Sequence, residues 1–327
     1  MRVIQVTRFG PPEVLTPASV PDPVPGPGEA VITVAAADVL FLDTLIRSGR
    51  ATQWFPVRPP YVPGNGVAGQ VASVGDGVDP GWAGRRVIAR TGGSGGAGGY
   101  AERAVVSAGQ LVPVPGELDL SQSVALLHDG ATALRLIAST GARPGERVLI
   151  TGAAGGLGLL LLQLARAAGA QVIGAARGSA KLAVLWDLGA DAVVDYGEPG
   201  WTKRVTEATG GDGPDVVFDG AGGQLGREAF EIMADGGRVS AHGSAGGGFA
   251  PISPDEAARR GITVRGIEQV QLRPGEHEAL AQSALAELAA GHIRPIIGQL
   301  FPLAQAADAH AALEARSAPG KTLLTVP

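Results

Sequence analysis

The chain has 327 residues, enough for about two domains at roughly 150 residues each. Its 45% hydrophobic and 17% charged composition allows a full core and excludes a disordered chain. The net charge of −5 gives no electrostatic reason to expect nucleic acid or an anionic membrane surface as partner.

There is no cysteine, which excludes disulfides, thiolate nucleophiles, iron–sulfur clusters and cysteine-based zinc sites. The 51 glycines carry no short period, so neither collagen nor a solenoid fits. The N-terminal MRVIQVTRFG lacks a long apolar run and a cleavage site. The longest strongly apolar stretch, residues 157–165, includes Gln163 and is too short to span a bilayer. The expectation is a soluble, cytoplasmic protein.

Residues 1–120 are rich in Val, Pro and Gly. Short apolar runs at 2–6, 30–35, 69–74, 86–89 and 101–106 are separated by turn signals such as Pro25-Gly26-Pro27-Gly28 and Gly75-Asp76-Gly77. This predicts an irregular, mostly antiparallel β domain. The small-residue stretch 92–99 reads as a loop, either over a site or on a bland surface. After residue 120 the pattern changes. A helix is expected over 121–139, with Ser121 or Ser123 as N-cap. Strands at 148–151, 171–175, 191–194, 215–218 and 238–241 then alternate with helices at 157–168, 179–188, 201–209 and 224–234. Strict alternation predicts a parallel sheet covered on both faces, so the fold class is α/β. A strand at 262–267, helices at 276–290 and 304–315, and a closing strand at 321–326 follow, and the last of these are expected to return to the first domain.

The strand ending at Ile150 runs into Thr151-Gly152-Ala153-Ala154-Gly155-Gly156-Leu157-Gly158, which opens a helix. A lone glycine fingerprint is weak, but this one has a strand before it, a helix after it and a further βαβ run. Gly152 permits the tight turn. Gly155 and Gly156 let backbone approach a pyrophosphate, and Gly158 lets the helix pack close. The free N–H groups and the dipole of the helix start favour phosphate. An NAD site places Asp or Glu at the end of the second strand. Here that end reads Gly174-Ala175-Ala176-Arg177-Gly178-Ser179-Ala180-Lys181, with no acid and two cations. A carboxylate there repels a 2′-phosphate, whereas Arg177 and Lys181 pair with one, so NADPH is the expected cofactor. The bland reading leaves both cations as solvated residues at a helix start.

The chain resembles the zinc-independent quinone oxidoreductases of the medium-chain dehydrogenase/reductase superfamily, which include zeta-crystallin. The resemblance covers nearly the whole chain and rests on separated motifs in order. These are Asp43-Thr44-Leu45-Ile46-Arg47-Ser48-Gly49, Pro60-Tyr61-Val62-Pro63-Gly64, Val67-Ala68-Gly69, Gly98-Gly99-Tyr100-Ala101-Glu102, the dinucleotide turn, Leu188-Gly189-Ala190-Asp191 and Gly320-Lys321. The resemblance implies a GroES-like β domain at 1–122 and 266–327, and a Rossmann doubly wound parallel-sheet domain at 123–265 with NADPH bound in the cleft. A homodimer is implied as well. It places Thr132 and His242, Gly243 and Ser244 on the nicotinamide side, and Ala154, Gly155, Gly156 and Leu157 at the pyrophosphate. Arg177 and Lys181 occupy the 2′-phosphate region, and Tyr196 matches an aromatic position beside the adenosine. Glu268, Gln269 and Val270 match the segment facing the carboxamide, and Arg316 aligns with a basic residue near the cofactor in some members. Zinc-dependent relatives place metal ligands where this chain has Gly64-Asn65-Gly66, so no metal is expected.

The chain departs from that pattern at two places. Many of these reductases carry Asn and Tyr where it has Leu40 and Leu45. With Phe41, Trp54 and Phe55, these residues suggest either a greasy substrate surface or simple core. Hydride transfer to a quinone needs no dedicated protein acid, whereas enoyl or enal reduction usually needs a positioned donor. His128 and Tyr61 are the remaining donor candidates. His128 otherwise reads as a helix histidine with a structural hydrogen bond, and Tyr61 as a turn residue. His277, His292 and His310 show no ligand spacing and read as surface. The expected function is NADPH-dependent, metal-free reduction of quinones or related conjugated carbonyls. The alternatives are an enoyl-thioester or enal reductase of secondary metabolism, and a nucleotide-binding protein without turnover.

Overall fold

The computed structural model describes residues 1–92, 98–273 and 275–326. Most of the small-residue stretch 92–99 therefore lies outside the described residues. The chain divides into two compact units. One comprises Met1–His128, Ala281–Ala289 and Ile297–Pro327, the other Asp129–Leu280 and Ala290–Ile296.

The first unit begins with β1 (Arg2–Val6) and β2 (Leu15–Ser19), an antiparallel pair. β3 (Glu29–Val39) follows, 11 residues long and buried almost throughout. Ala, Val and Ile dominate it, as a strand covered on both faces requires. Next come α1 (Phe41–Arg47), β4 (Gly66–Val74), β5 (Arg86–Arg90), β6 (Arg103–Ser107), β7 (Val112–Pro113) and α2 (Leu120–Leu127). α1 has seven residues, too few to show helical periodicity, so the sequence reading found its motif but not its helix.

Asp119 caps α2, accepting the Gln122 N–H at 2.9 Å, so the expected Ser121 or Ser123 cap is corrected. Ser123 instead donates its hydroxyl to the Asp119 carbonyl. The single helix expected over 121–139 is also corrected. α2 ends before His128, and α3 (Asp129–Thr140) begins the second unit. His128 holds φ −94° and ψ −51° at the break, with its ring turned to Asp38.

In the second unit β8 (Arg147–Thr151), α4 (Gly156–Ala167), β9 (Gln171–Ala176), α5 (Ser179–Asp187), β10 (Ala192–Asp195), α6 (Trp201–Ala208), β11 (Val216–Asp219), α7 (Gly223–Glu231) and β12 (Arg238–Ala241) alternate. α8 (Pro254–Arg259), β13 (Thr263–Gly266) and the one-turn α9 (Ile267–Val270) complete it. The strands form one parallel sheet in the order β10-β9-β8-β11-β12-β13. Strand order reverses between β8 and β11, which is where sheets of this kind bind ligands, at the carboxyl ends. Ion pairs occupy the opposite end. Arg147 reaches Asp215 at 2.8 Å and Arg238 reaches Glu146 at 2.6 Å.

The chain then returns. α10 (Glu276–Ala289) contributes Ala281 and Leu285 to the first unit's core. β14 (Ile297–Pro302), α11 (Ala306–Ala315) and β15 (Lys321–Thr325) follow. β15 pairs antiparallel with β3, Thr322 opposite Val39, and the sheet order is β14-β15-β3-β4-β5-β7 with β6 also on β3. No helix among the described residues is long and apolar enough to cross a membrane.

Candidate active site

The second unit offers a site made mostly of backbone. Gly152 turns at φ +64°, and Gly155 is the exposed N-cap of α4, with no side chain capping the helix. The N–H groups of the first turn therefore have no partner within the helix and carry the positive end of its dipole. Space for a ligand exists at Gly155, where an added Cβ would meet only the Gly152 carbonyl oxygen, at 3.5 Å. At Gly158 there is none. A Cβ there would lie 2.6 Å from the Ala153 oxygen, so the helix packs this close only with glycine. The tight turn at Gly152 and the close packing at Gly158 are thus as expected, and the space at Gly155 fits a pyrophosphate.

Two neighbouring strand ends complete this face. Arg177 follows β9 and lies over the Tyr196 ring, 6.0 Å from its centroid. Tyr196 follows β10 and stands edge-on to Trp201. Asp195 does not face outward as an acid would in an NAD site. Its two oxygens accept the N–H groups of Gly178 and Gly197, at 2.8 and 2.7 Å. Lys181 lies in the first turn of α5. Arg177 and Lys181, expected at a 2′-phosphate, and Tyr196, expected beside the adenosine, thus stand after β9, in the first turn of α5 and after β10.

His242, Gly243 and Ser244 follow β12, next to the loop after β11. A Cβ on Gly243 would lie 2.1 Å from Gly220, so these backbones touch. His242 Nδ1 lies 3.1 Å from Ser240 Oγ, and burial of the ring lowers its pKa to about 4. The imidazole is therefore neutral near pH 7. Thr132 lies on α3, and Glu268, Gln269 and Val270 on α9. Arg316 belongs to the other unit. It holds the left-handed C-cap of α11 at φ 52°, and its side chain is exposed.

Asp219 escaped the sequence reading. It ends β11 fully buried, and its Oδ1 accepts the Thr151 hydroxyl at 2.6 Å and the Gly222 N–H at 2.9 Å. Burial raises its pKa, against the pull of these donors. This carboxyl ties the loops after β8 and β11 together at the point of strand reversal. The signal was present as an acid at a strand end followed by glycines, Asp219-Gly220-Ala221-Gly222-Gly223.

The first unit offers a cavity of about 480 Å³ whose lining includes Asp43, Trp54, Phe55, Tyr61 and Asn65. Trp54 and Phe55 are exposed, as a substrate surface would be, whereas Leu45 packs against the core. Asp43 is buried. Its Oδ1 accepts Asn65 Nδ2 at 2.6 Å, and its Oδ2 accepts the Leu40 N–H at 2.9 Å and the Tyr100 hydroxyl at 3.4 Å. Burial raises its pKa to about 6, opposed by the Leu40 bond and reinforced by Asp38.

The Tyr100 hydroxyl also lies 3.0 Å from His310 Nε2. His310 is fully buried, and that burial lowers its pKa to about 3. The surface reading of His310 is corrected, as is that of His277, which is 8% exposed. The small residues around His310 on α11 gave no apolar stripe to mark its face. His292 is exposed as expected. Burial also raises the Tyr61 pKa, and its hydroxyl has no protein partner.

His128 takes Asp38, not the adjacent Asp129, as its carboxylate, with Nδ1 at 3.2 Å from Oδ2. Lys321 Nζ forms an ion pair with the other oxygen of Asp38 at 2.7 Å. Burial opposes ionisation of Asp38, but Lys321 and His128 overcome it and lower its pKa.

Residues 26–116 match the family model of the alcohol dehydrogenase GroES-like domain, and residues 156–286 that of zinc-binding dehydrogenases. The chain is 34% identical to a quinone oxidoreductase of Sus scrofa over 99% of its own length and 97% of that protein. An Escherichia coli quinone oxidoreductase solved in complex with NADPH superposes with a TM-score of 0.90 at 27% identity, covering 99% of this chain and 100% of that one. A structure named NAD-dependent alcohol dehydrogenase superposes with a TM-score of 0.87 at 29% identity, covering both chains fully (100% and 100%).

Zinc does not fit the donors around Asn65. Asn65 offers an amide, both Asp43 oxygens accept hydrogen bonds, and Asp38 is paired with Lys321 and His128. Among the described residues no group of three His, Asp or Glu is placed to hold a metal ion.

Proposed function

The chain belongs to the quinone oxidoreductase family of the medium-chain dehydrogenase/reductase superfamily and is an NADPH-dependent oxidoreductase, and from that premise we propose that it reduces quinones and related conjugated carbonyls without a metal. One observation carries the substrate half of this reading. The cavity of about 480 Å³ is lined both by the aromatic residues Trp54 and Phe55 and by the polar pair Asn65 and Asp43. A flat, electron-poor ring bearing carbonyl oxygens needs both kinds of wall.

For the cofactor, the backbone of Ala154, Gly155, Gly156 and Leu157 holds the pyrophosphate. Arg177 and Lys181 pair with the 2′-phosphate, and Tyr196 lies beside the adenosine. Thr132, His242, Gly243 and Ser244 bound the nicotinamide side, Glu268, Gln269 and Val270 its carboxamide, and Arg316 adds a cation. When bound, NADPH supplies two electrons as hydride. Overall, one quinone, one NADPH and one proton give one hydroquinone and NADP⁺. The oxygen that gains charge takes its proton from solvent. The protein's share is orientation and exclusion of water. Neutral His242 adds no positive charge where the nicotinamide must itself become cationic.

A homodimer is part of this reading. β13 stands at the edge of the parallel sheet, with Val264 36% exposed, and an edge strand pairs readily across a two-fold axis. Sedimentation of a monomer would remove that part. The central test follows NADPH oxidation with 1,4-benzoquinone, 9,10-phenanthrenequinone, 2-alkenals and crotonyl-CoA. Quinone turnover is expected. Turnover of crotonyl-CoA alone would replace the reading with enoyl reduction, and tight NADPH binding with no turnover of any of them would sink both.

A further inference from the structure

We propose that Asn65 is the group that hydrogen-bonds the substrate oxygen on which negative charge develops, and that Asp43 positions it. This rests on the reductase reading and names the donor within it.

The backbone of Asn65 is clamped. Its carbonyl accepts the Thr91 N–H at 3.0 Å, and the carbonyl of Gly64 accepts the Thr91 hydroxyl at 2.7 Å. Gly64 itself sits at φ +98°, where a Cβ would lie 2.4 Å from the Tyr100 ring. Only glycine allows that approach, and the two Thr91 bonds then hold the segment before β4.

The side chain is held as firmly. A carboxylate only accepts, so Asp43 Oδ1 fixes the amide with its nitrogen inward, at 2.6 Å. Asp43 is in turn fixed by Leu40 and Tyr100, and Tyr100 by His310. Asp43, Tyr100 and His310 are each at most 2% exposed. A buried polar chain of this depth is stable only where its members hydrogen-bond one another, which fixes their orientations. Its end is Asn65, a lining residue of the cavity. An amide has two N–H bonds, and Asp43 takes one. The second N–H is left for a ligand in the cavity. Tyr61 also lines the cavity, but its hydroxyl oxygen is buried, so the donor on this wall is assigned to the Asn65 amide.

In the reaction, hydride adds to the quinone, the electron pair of a carbon–oxygen π bond moves to oxygen, and solvent delivers the proton. A donor already aimed at that oxygen acts more strongly on the charged state than on the bound quinone. It therefore raises kcat more than it lowers KM.

The test compares wild type with Asn65→Ala, and with Asn65→Leu in case the smaller side chain unsettles the loop. With 1,4-benzoquinone, kcat should fall about 100-fold while KM stays within roughly threefold. The Kd for NADPH, read by its fluorescence, should not move. Asp43→Asn should give a smaller loss and a changed pH profile. Below about pH 6 wild-type Asp43 takes up a proton and stops dictating the amide's orientation, so kcat/KM falls. That limb should vanish in Asp43→Asn. The titratable groups that interact with Asp43 are Asp38, Tyr61, Tyr100 and His128, with His310 behind Tyr100 and Arg47 beside Tyr61 and His310, and a limb that instead vanishes in His128→Gln assigns it elsewhere.

A second readout needs no turnover. In the presence of NADP⁺, 4-nitrophenol should bind as its coloured phenolate, and Asn65→Ala should weaken binding at least tenfold. Quinone turnover with unchanged kcat in both Asn65 variants would overturn the proposal. If wild type turns over no quinone, the reductase reading fails by itself, and the phenolate titration decides Asn65 alone. Weaker binding in the variant supports the donor, and equal binding overturns it.

Discussion

The two units build their sites from different materials. In the parallel-sheet unit the cradle is backbone, and glycine is required because any Cβ would strike a neighbouring main chain, as at Gly158 and Gly243. In the β unit the polar residues of the cavity wall, Asn65 and Asp43, are backed by buried polar side chains joined across long stretches of chain. Asn65 and Asp43 are 22 residues apart, Tyr100 and Asp43 57, and Tyr100 and His310 210. A backbone cradle depends first on shape, because its N–H groups do not titrate. A buried polar site depends on protonation state and is exposed to it.

The largest test of this contrast is Gly158→Val. The Cβ alone would lie 2.6 Å from the Ala153 oxygen, so the turn must move. NADPH binding should weaken by 100-fold or more, about 3 kcal/mol, in fluorescence titration. A Kd within threefold of wild type would break the claim that shape governs this site.

The matching test in the β unit is acid. The His310 pKa falls from an ordinary 6.5 to about 3 in the folded state. A depressed histidine pKa means that the unfolded chain takes up the proton first. Its stability contribution is therefore full above about pH 6.5 and is lost as pH falls toward 3. By about pH 4.5 the loss approaches roughly 3 kcal/mol. Asp43 runs the other way. Its raised pKa favours the neutral acid in the folded state, so stability falls as pH rises through its ordinary value of 3.8 toward about 6. The variant difference isolates the histidine. His310→Phe should cost most near pH 7 and progressively less on acidification, by urea denaturation. A cost independent of pH would remove the contrast.

Arg177→Ala with Lys181→Ala should weaken NADPH by about 10- to 100-fold and leave NADH nearly unchanged. Equal losses of both would refute the 2′-phosphate assignment. The smallest effect is expected from Thr151→Val. It removes the 2.6 Å bond to buried Asp219 and should cost roughly 1–2 kcal/mol in urea, with a few-fold weaker NADPH binding. A larger effect on quinone KM than on NADPH would place Thr151 in the wrong site.

The same contrast separates what was legible beforehand from what was not. The strand, turn and helix around Gly152, the alternating elements after it, and the basic strand end at Arg177 are local patterns. They depend on residues within a few positions of one another, and the fold bears them out. Helix ends were less legible. Asp119 takes the cap expected of Ser121 or Ser123, because its carboxylate reaches the Gln122 N–H. α1 and the one-turn α9 were too short for periodicity to register.

By itself the sequence determined the parallel-sheet fold, the dinucleotide turn, the absence of any cysteine ligand and the basic residues Arg177 and Lys181 after the second strand of that sheet. All follow from residue type at short range. Only the tertiary structure decided that His310 is buried, that His128 answers to Asp38, and that Asn65 meets Asp43 at the cavity. Each depends on burial and on a partner far along the chain, and no local spacing encodes either.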